Sequence, residues 1–258
     1  MSIRYQILVP VVLVCIVLAG ASLGVSIWQF SGYANESVME DTQIALRGLA
    51  DEIEARKQDS LAKGALIARY PGLAVAIAAN DTNAVLALTT PLVKEGKLDF
   101  LTVTDARGTV VARVHEPAQK GDSVLNQANV AAALKGTAAA YVESGTVVKL
   151  SARAGVPVRD TTGSVVGVVS GGYQLDKTEF IDRIKQMFNA DATIFLGDVR
   201  AMTTIVNQGQ RAVGTKLDPA ITKIVLSEGK TFQGQATILG QPYLTAYMPL
   251  AEIGRAHV

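Results

Sequence analysis

Cysteine is almost absent from this sequence: Cys15 is the only one in 258 residues, and it sits inside an N-terminal apolar run. The chain beyond it has no internal disulfide, thiolate zinc site or cysteine nucleophile. Histidine is nearly as scarce, with only His115 and His257. A Ser-His-Asp triad would have to use His115, and nothing around that residue supports one. His115-Glu116 opens like a zinc-protease motif, but Pro117 breaks the helix such a motif needs and no second histidine follows. Residues 209–216 (GQRAVGTK) approach a phosphate-binding loop but end Thr-Lys instead of Lys-Thr. No Gly-x-Ser-x-Gly elbow and no Asp-x-Asp calcium loop occurs. Charge of one sign is also lacking, with 24 basic against 23 acidic residues. No basic field therefore supports nucleic-acid binding. An enzyme, a metal site and a cofactor are not expected.

The composition, 49% apolar, is that of a folded chain long enough for one large domain or two small ones. From Ile7 to Trp28 no residue is charged. A run of that length spans a bilayer core of roughly 30 Å as a helix. Arg4 precedes it, and Glu36, Glu40 and Asp41 follow, so the positive-inside rule places residues 1–6 in the cytoplasm. Trp28 and Tyr33 stand where interfacial aromatics belong. The expectation is an uncleaved transmembrane helix over 7–30, with the residues after it outside the membrane. The alternative is a signal peptide cut at Ala19-Gly20-Ala21, which the apolar stretch outlasts.

Residues 34–69 predict a long helix rising from that anchor. Met39, Leu46, Leu49, Ile53 and Leu61 share one face, and Glu40, Asp51, Glu54, Lys57 and Asp59 the other. Its length would be roughly 50 Å. Pro71-Gly72 stops it, and Asn80-Asp81-Thr82 caps a second helix over 83–95. Strands follow at 100–104 and 109–114 around a turn at Asp105–Gly108, then a short helix at 128–134. Further strands are expected at 139–143, 147–158 and 165–173. A weaker second copy runs from a helix at 176–188 through strands at 192–196 and 201–206, a helix at 218–226 capped by Asp218, and a hairpin at 232–238 and 243–250. The fold class is α+β: a long helix, then two modules with antiparallel sheets, at 96–175 and 176–250, the second incomplete.

The segments DFLTVTDARGTVVARVHEPAQKGDS, ALKG and LSARAGVPVRDTTGSVVGVVSGGYQLD resemble a Cache domain. Cache domains are PAS-like extracytoplasmic sensor modules of bacterial chemoreceptors and sensor kinases. The resemblance spans about 34–250 and is closest to the double-Cache type, with a first module similar to C4-dicarboxylate and citrate sensors. It implies that the chain would continue into a second membrane span and an output domain. The second module ends on YLTAYMPL without a closing strand, and the last residues, EIGRAHV, resemble a translated sequencing adapter. Residues 251–258 are thus expected to be foreign to the protein.

By the same resemblance, His115 and Arg153 match the carboxylate-binding His and Arg of the dicarboxylate sensors. Arg113 matches less closely, because the spacing in ARVHEP differs from the family's pattern. Residues 113 and 115 have the parity to share a strand face, and a guanidinium pairs bidentately with a carboxylate. The competing reading is a solvated sheet face, or an Arg paired with Glu116 or Asp122. Tyr141, Ser151 and Tyr173 are candidate lining residues. The expected function is a membrane-anchored sensor of a small organic acid that signals as a homodimer through its long helix, in a methyl-accepting chemoreceptor. The alternatives are the sensor region of a histidine kinase or diguanylate cyclase, and an anchored solute-binding protein.

Overall fold

A computed structural model describes residues 3–250, with side chains for 17–26 and 36–250. Helix α1 runs from Ile3 to Ala68 without interruption. Among the described residues no helix is long and apolar enough to cross a membrane. The span expected at 7–30 falls largely on 3–16 and 27–35, whose side chains lie outside the described residues, as does the tail 251–258. Within that span Val17, Leu18, Leu23 and Val25 each expose more than half of their surface.

The chain divides into two compact units, one of residues 1–44 and 233–246, the other of 45–232 and 247–258. In the first, strands β10 (Phe232–Ile238) and β11 (Gln241–Tyr247), whose outer ends belong to the second unit, pair as a hairpin. Gln233 donates to the Met39 carbonyl at 3.3 Å and accepts from Gln43.

The second unit is built on a five-stranded antiparallel sheet. Its strands are β1 (Phe100–Asp105), β2 (Val110–Arg113), β3 (Ala139–Glu143), β4 (Ser151–Arg159) and β5 (Val165–Gln174), in the order β2-β1-β5-β4-β3. One face of this sheet is apolar. Leu101, Val103, Ala112, Val156, Val158 and Val169 pack against Ile67 and Ala68 of α1, against α2 (Leu73–Ala78) and against α3 (Thr82–Glu95). As expected, Asp81 caps α3, its carboxylate accepting from the Ala84 amide at 3.0 Å. The short helix α2 was not expected, because six residues are too few to display a helical period. Buried positions 49, 53, 57, 60, 64 and 67 of α1 step by three or four, the spacing of one helix face. Lys57 belongs to this face instead of the solvated one: its side chain is buried and its ammonium donates to Glu54 at 2.7 Å. The aliphatic stem can cover apolar surface while the charge stays paired.

The other sheet face is covered by α4 (Ala128–Leu134), which packs on β3, β4 and β5. Val130 and Ala133 meet Val110, Val124 and Val168 in a small apolar cluster. The rest of this face is mostly polar, with the buried Phe100 among its polar residues.

Beyond β5, helix α5 (Thr178–Phe188) places Phe180, Ile181 and Ile184 against Leu49 and Ile53. Strands β6 (Thr193–Leu196) and β7 (Val199–Thr203), and then β8 (Val206–Asn207) and β9 (Gln210–Arg211), form separate two-stranded ladders. Helix α6 (Pro219–Thr222), capped by Asp218, continues as a wider turn over Lys223–Ser227. The strand expected at 201–206 is β7 at 199–203, the short pair β8–β9 was not expected, and among the described residues the strands beyond β5 do not join into one sheet.

Candidate ligand site

Directly opposed residues in an antiparallel sheet share a face. Tyr141 opposes Arg153, Arg153 opposes Gly172, and Gly172 opposes Phe100. Strand β2 ends at Arg113, two residues before His115. The Val114 amide still bonds the Leu101 carbonyl at 2.9 Å, which keeps His115 beside Phe100 with ring centroids 5.6 Å apart. One row on the polar face therefore reads Tyr141, Arg153, Gly172, Phe100, His115. The next row on that face contains Ser170, Thr102 and Arg113, and on the other side of the first lie Glu143 and Ser151. Five of the six residues singled out from the sequence thus share this face. Tyr173 does not: it opposes Ala152 on the apolar face, where its hydroxyl accepts from Lys63 at 2.7 Å and donates to Asp59. Burial together with the Asp59 carboxylate raises its pKa, while Lys63 opposes the rise.

Arg153 is the centre of the polar face. Only 4% of it is exposed. Its Nε donates to Ser151 Oγ at 2.7 Å, Nη1 to Gln127 Oε1 at 2.8 Å and Nη2 to the Val148 carbonyl at 3.0 Å. All three acceptors are neutral. Its carbon Cζ sits 4.9 Å from the centre of the Phe100 ring, a cation–π distance. Burial lowers its pKa to about 10, against the pull of Glu143, so it stays charged at neutral pH. The strand expected to begin at 147 begins at Ser151 instead, because the preceding residues form a loop over this guanidinium. The Gly145 amide closes the loop on the Val148 carbonyl at 2.9 Å, and a Cβ on Gly145 would collide with Arg153 Nη1.

Arg113 is committed elsewhere. Buried to 2% exposure, it grips Asp122 bidentately at 2.7 and 2.8 Å and donates to the Gln119 carbonyl at 2.7 Å. This is the pairing weighed as the alternative to ligand contact. His115 Nδ1 lies 3.3 Å from the Leu101 carbonyl, which can only accept, so Nδ1 carries the proton in that contact. Burial, with the charges of Arg113 and Arg153, lowers the His115 pKa despite the Leu101 carbonyl. The neutral imidazole then offers Nε2 as an acceptor.

Two residues that the sequence did not single out complete the site. Gln127 precedes α4 and holds Arg153. Glu143, at the end of β3, accepts from the Ala128 and Asn129 amides at 2.8 and 3.3 Å. Burial raises its pKa, partly offset by Arg153 and those amides. The alternation of β3 gave a signal for Glu143, since it shares parity with Tyr141, but nothing marked Gln127. Asn129 is fully buried, with its Nδ2 donating to Ser170 at 2.7 Å and its Oδ1 without a partner. Among the described residues no cluster of His, Cys, Asp or Glu is arranged to hold a metal ion.

The site thus sits on a helix-backed five-stranded antiparallel sheet, with a buried, charged arginine under a loop and a short helix on the other face. The chain matches the family described as Single cache domain 3 over residues 37–187, more than half its length. It belongs to that family. A second segment, 174–256, matches another family of the same description. Both matches are to single-Cache types, where the sequence pointed to the double-Cache type. No curated protein matches the chain.

Solved structures show the same fold. The sensor domain of the V. cholerae histidine kinase DctB has a TM-score of 0.54 at 14% identity, over 80% of this chain and 84% of that one. The ligand-binding domain of the Campylobacter jejuni chemoreceptor Tlp3, in complex with 4-methylisoleucine, has a TM-score of 0.51 at 12% identity, over 81% and 84%. An extracellular ligand binding receptor from Desulfohalobium retbaense has 0.50 at 19% identity, over 78% of this chain and 36% of that one.

Proposed function

We propose that this chain is the extracytoplasmic sensor region of a membrane receptor, and that it binds a small organic acid through its carboxylate at Arg153. The observation that carries this reading is the state of Arg153: charged, almost fully buried, and bonded, among the described residues, to neutral acceptors. A buried cation is costly unless paired, and a guanidinium fork has two N–H groups beyond the three engaged here. A ligand carboxylate would meet both needs. The neutral His115 at the far end of the row would accept a hydrogen bond from a second ligand group, and Tyr141 and Ser151 would line the space between. Arg113, already bound to Asp122, would shape the site and not touch ligand.

The anchor is helix α1 through residues 7–30, with the sensor outside the membrane. The exposed Val17, Leu18, Leu23 and Val25 support it. Binding shifts a two-state equilibrium in the module by its differential affinity for the two states, and α1 carries the change across the membrane. The receptor is a homodimer. Leu49 and Ile53 of the apolar stripe are used inside the fold, so the seam falls to exposed positions such as Val38 and Ile44. The two matched segments support two sensor modules in tandem, with 176–250 nearer the membrane. The output is of the chemoreceptor type. The likeness to a histidine kinase sensor domain keeps a kinase output as the second reading.

The test is a thermal-shift screen of the full chain against organic acids, amino acids and amines. Organic acids should raise the melting temperature. The Tlp3 domain takes an amino acid derivative, so amino acids are the informative competitor class. Their ammonium would need a free carboxylate, and Glu143 is engaged with α4. A shift by amino acids or amines alone would overturn the assignment.

A further inference from the structure

We infer that Glu143 is the positioning residue of the Arg153 site: it holds two of the three supports of the guanidinium, Ser151 and Gln127, in place, and its charge limits how tightly a carboxylate binds. The inference rests on the proposal that Arg153 takes a carboxylate. Glu143 acts through two arms. Its backbone carbonyl accepts from Ser151 Oγ at 3.3 Å, so the hydroxyl hydrogen points away from Arg153 and an oxygen lone pair meets Nε at 2.7 Å. Its carboxylate binds the Ala128 and Asn129 amides, the first of α4, and so fixes the chain next to Gln127, whose side chain holds Nη1 at 2.8 Å. Removing the carboxylate frees the start of α4, and with it Gln127.

The same carboxylate belongs to the residue opposite Ser151, whose Oγ holds Arg153 Nε, and its charge acts on the guanidinium. An incoming carboxylate competes with it for the guanidinium and is repelled by it at short range. The two roles make opposite predictions for two substitutions. Glu143→Gln keeps an oxygen for the helix amides and removes the charge. Glu143→Ala removes both.

The experiment compares the full-length protein with these two variants by amide hydrogen exchange without ligand and by calorimetric titration with succinate. In exchange, the amides of residues 128–134 should be protected in the wild type and in Glu143→Gln, and should open in Glu143→Ala. In titration, Glu143→Gln should bind succinate roughly three- to tenfold more tightly than wild type, from the lost repulsion. Glu143→Ala should bind it at least about tenfold more weakly, from the lost support. A residue with only a structural role would leave Glu143→Gln at the wild-type affinity and weaken binding in Glu143→Ala alone, which would overturn the part of the inference that rests on charge. Affinities that move together, or unaltered exchange of α4 in Glu143→Ala, would overturn the inference. If the exchange pattern holds and wild type takes up no organic acid, the positioning role stands and the carboxylate reading falls.

Discussion

Arg153 and Phe100 meet across a glycine: Cζ of the arginine lies 4.9 Å from the Phe100 ring centre, with Gly172 of the intervening strand between them in the same row. Any side chain at 172 would collide with the Ala152 carbonyl and come within 2.8 Å of the Arg153 Cα. Gly172→Val should therefore cost about 1–3 kcal/mol of stability through strain in β4, and should weaken ligand binding. Chemical denaturation and a ligand titration of the variant check both. Unchanged stability would mean that β4 and β5 have room to separate.

Asp122→Ala should destabilise the protein by about 2–3 kcal/mol, because it strips the bidentate partner from the buried Arg113. Affinity for the ligand should stay within a factor of about two, a difference well under 1 kcal/mol. Denaturant midpoints and the same titration separate the effects. A large loss of affinity without loss of stability would return Arg113 to the site.

Tyr173→Phe removes a hydroxyl bonded to Lys63 and Asp59 on the opposite face from Arg153. It should lower stability by about 1 kcal/mol and leave ligand affinity unchanged. Altered ligand selectivity in this variant would contradict its placement.

The pH dependence has two opposite contributions. The Arg113 bonds hold the Asp122 pKa below its ordinary value. Its contribution is complete above the unfolded value of about 3.9 and is lost as pH falls through the lower folded value. Burial raises the Glu143 pKa. Its contribution is complete below the unfolded value of about 4.3 and is lost as pH rises through the higher folded value. Relative to wild type, Glu143→Gln should therefore gain stability as pH rises through that window. Melting temperatures of the two proteins across acid to neutral pH would show this; a constant difference would contradict it.

Much of the fold was legible because its signals are local. The Asp81 cap, the Gly136 stop after α4 and the alternation of β3 all mark their elements within a few residues. Arg153 was singled out through the family resemblance, but its burial under the 144–150 loop was not foreseen. The side on which Tyr173 falls was not, because two neighbouring strands share a face only in a given register, and register is set by long-range packing. Lys57 looked solvated because its charge hides how its stem packs. Gln127 reaches Arg153 from 26 residues away, and no spacing rule reports such a contact.

The proposed function turns on Arg153 binding the ligand's carboxylate. Calorimetric titration of wild type and Arg153→Lys with the organic acid giving the largest thermal shift tests it most directly, with circular dichroism to confirm that the variant is folded. Lysine keeps the positive charge but loses the planar fork. If Arg153 holds the carboxylate, affinity should be roughly ten- to a hundredfold weaker in the variant, about 1.4 kcal/mol per factor of ten. An unchanged affinity in a folded Arg153→Lys protein would contradict it.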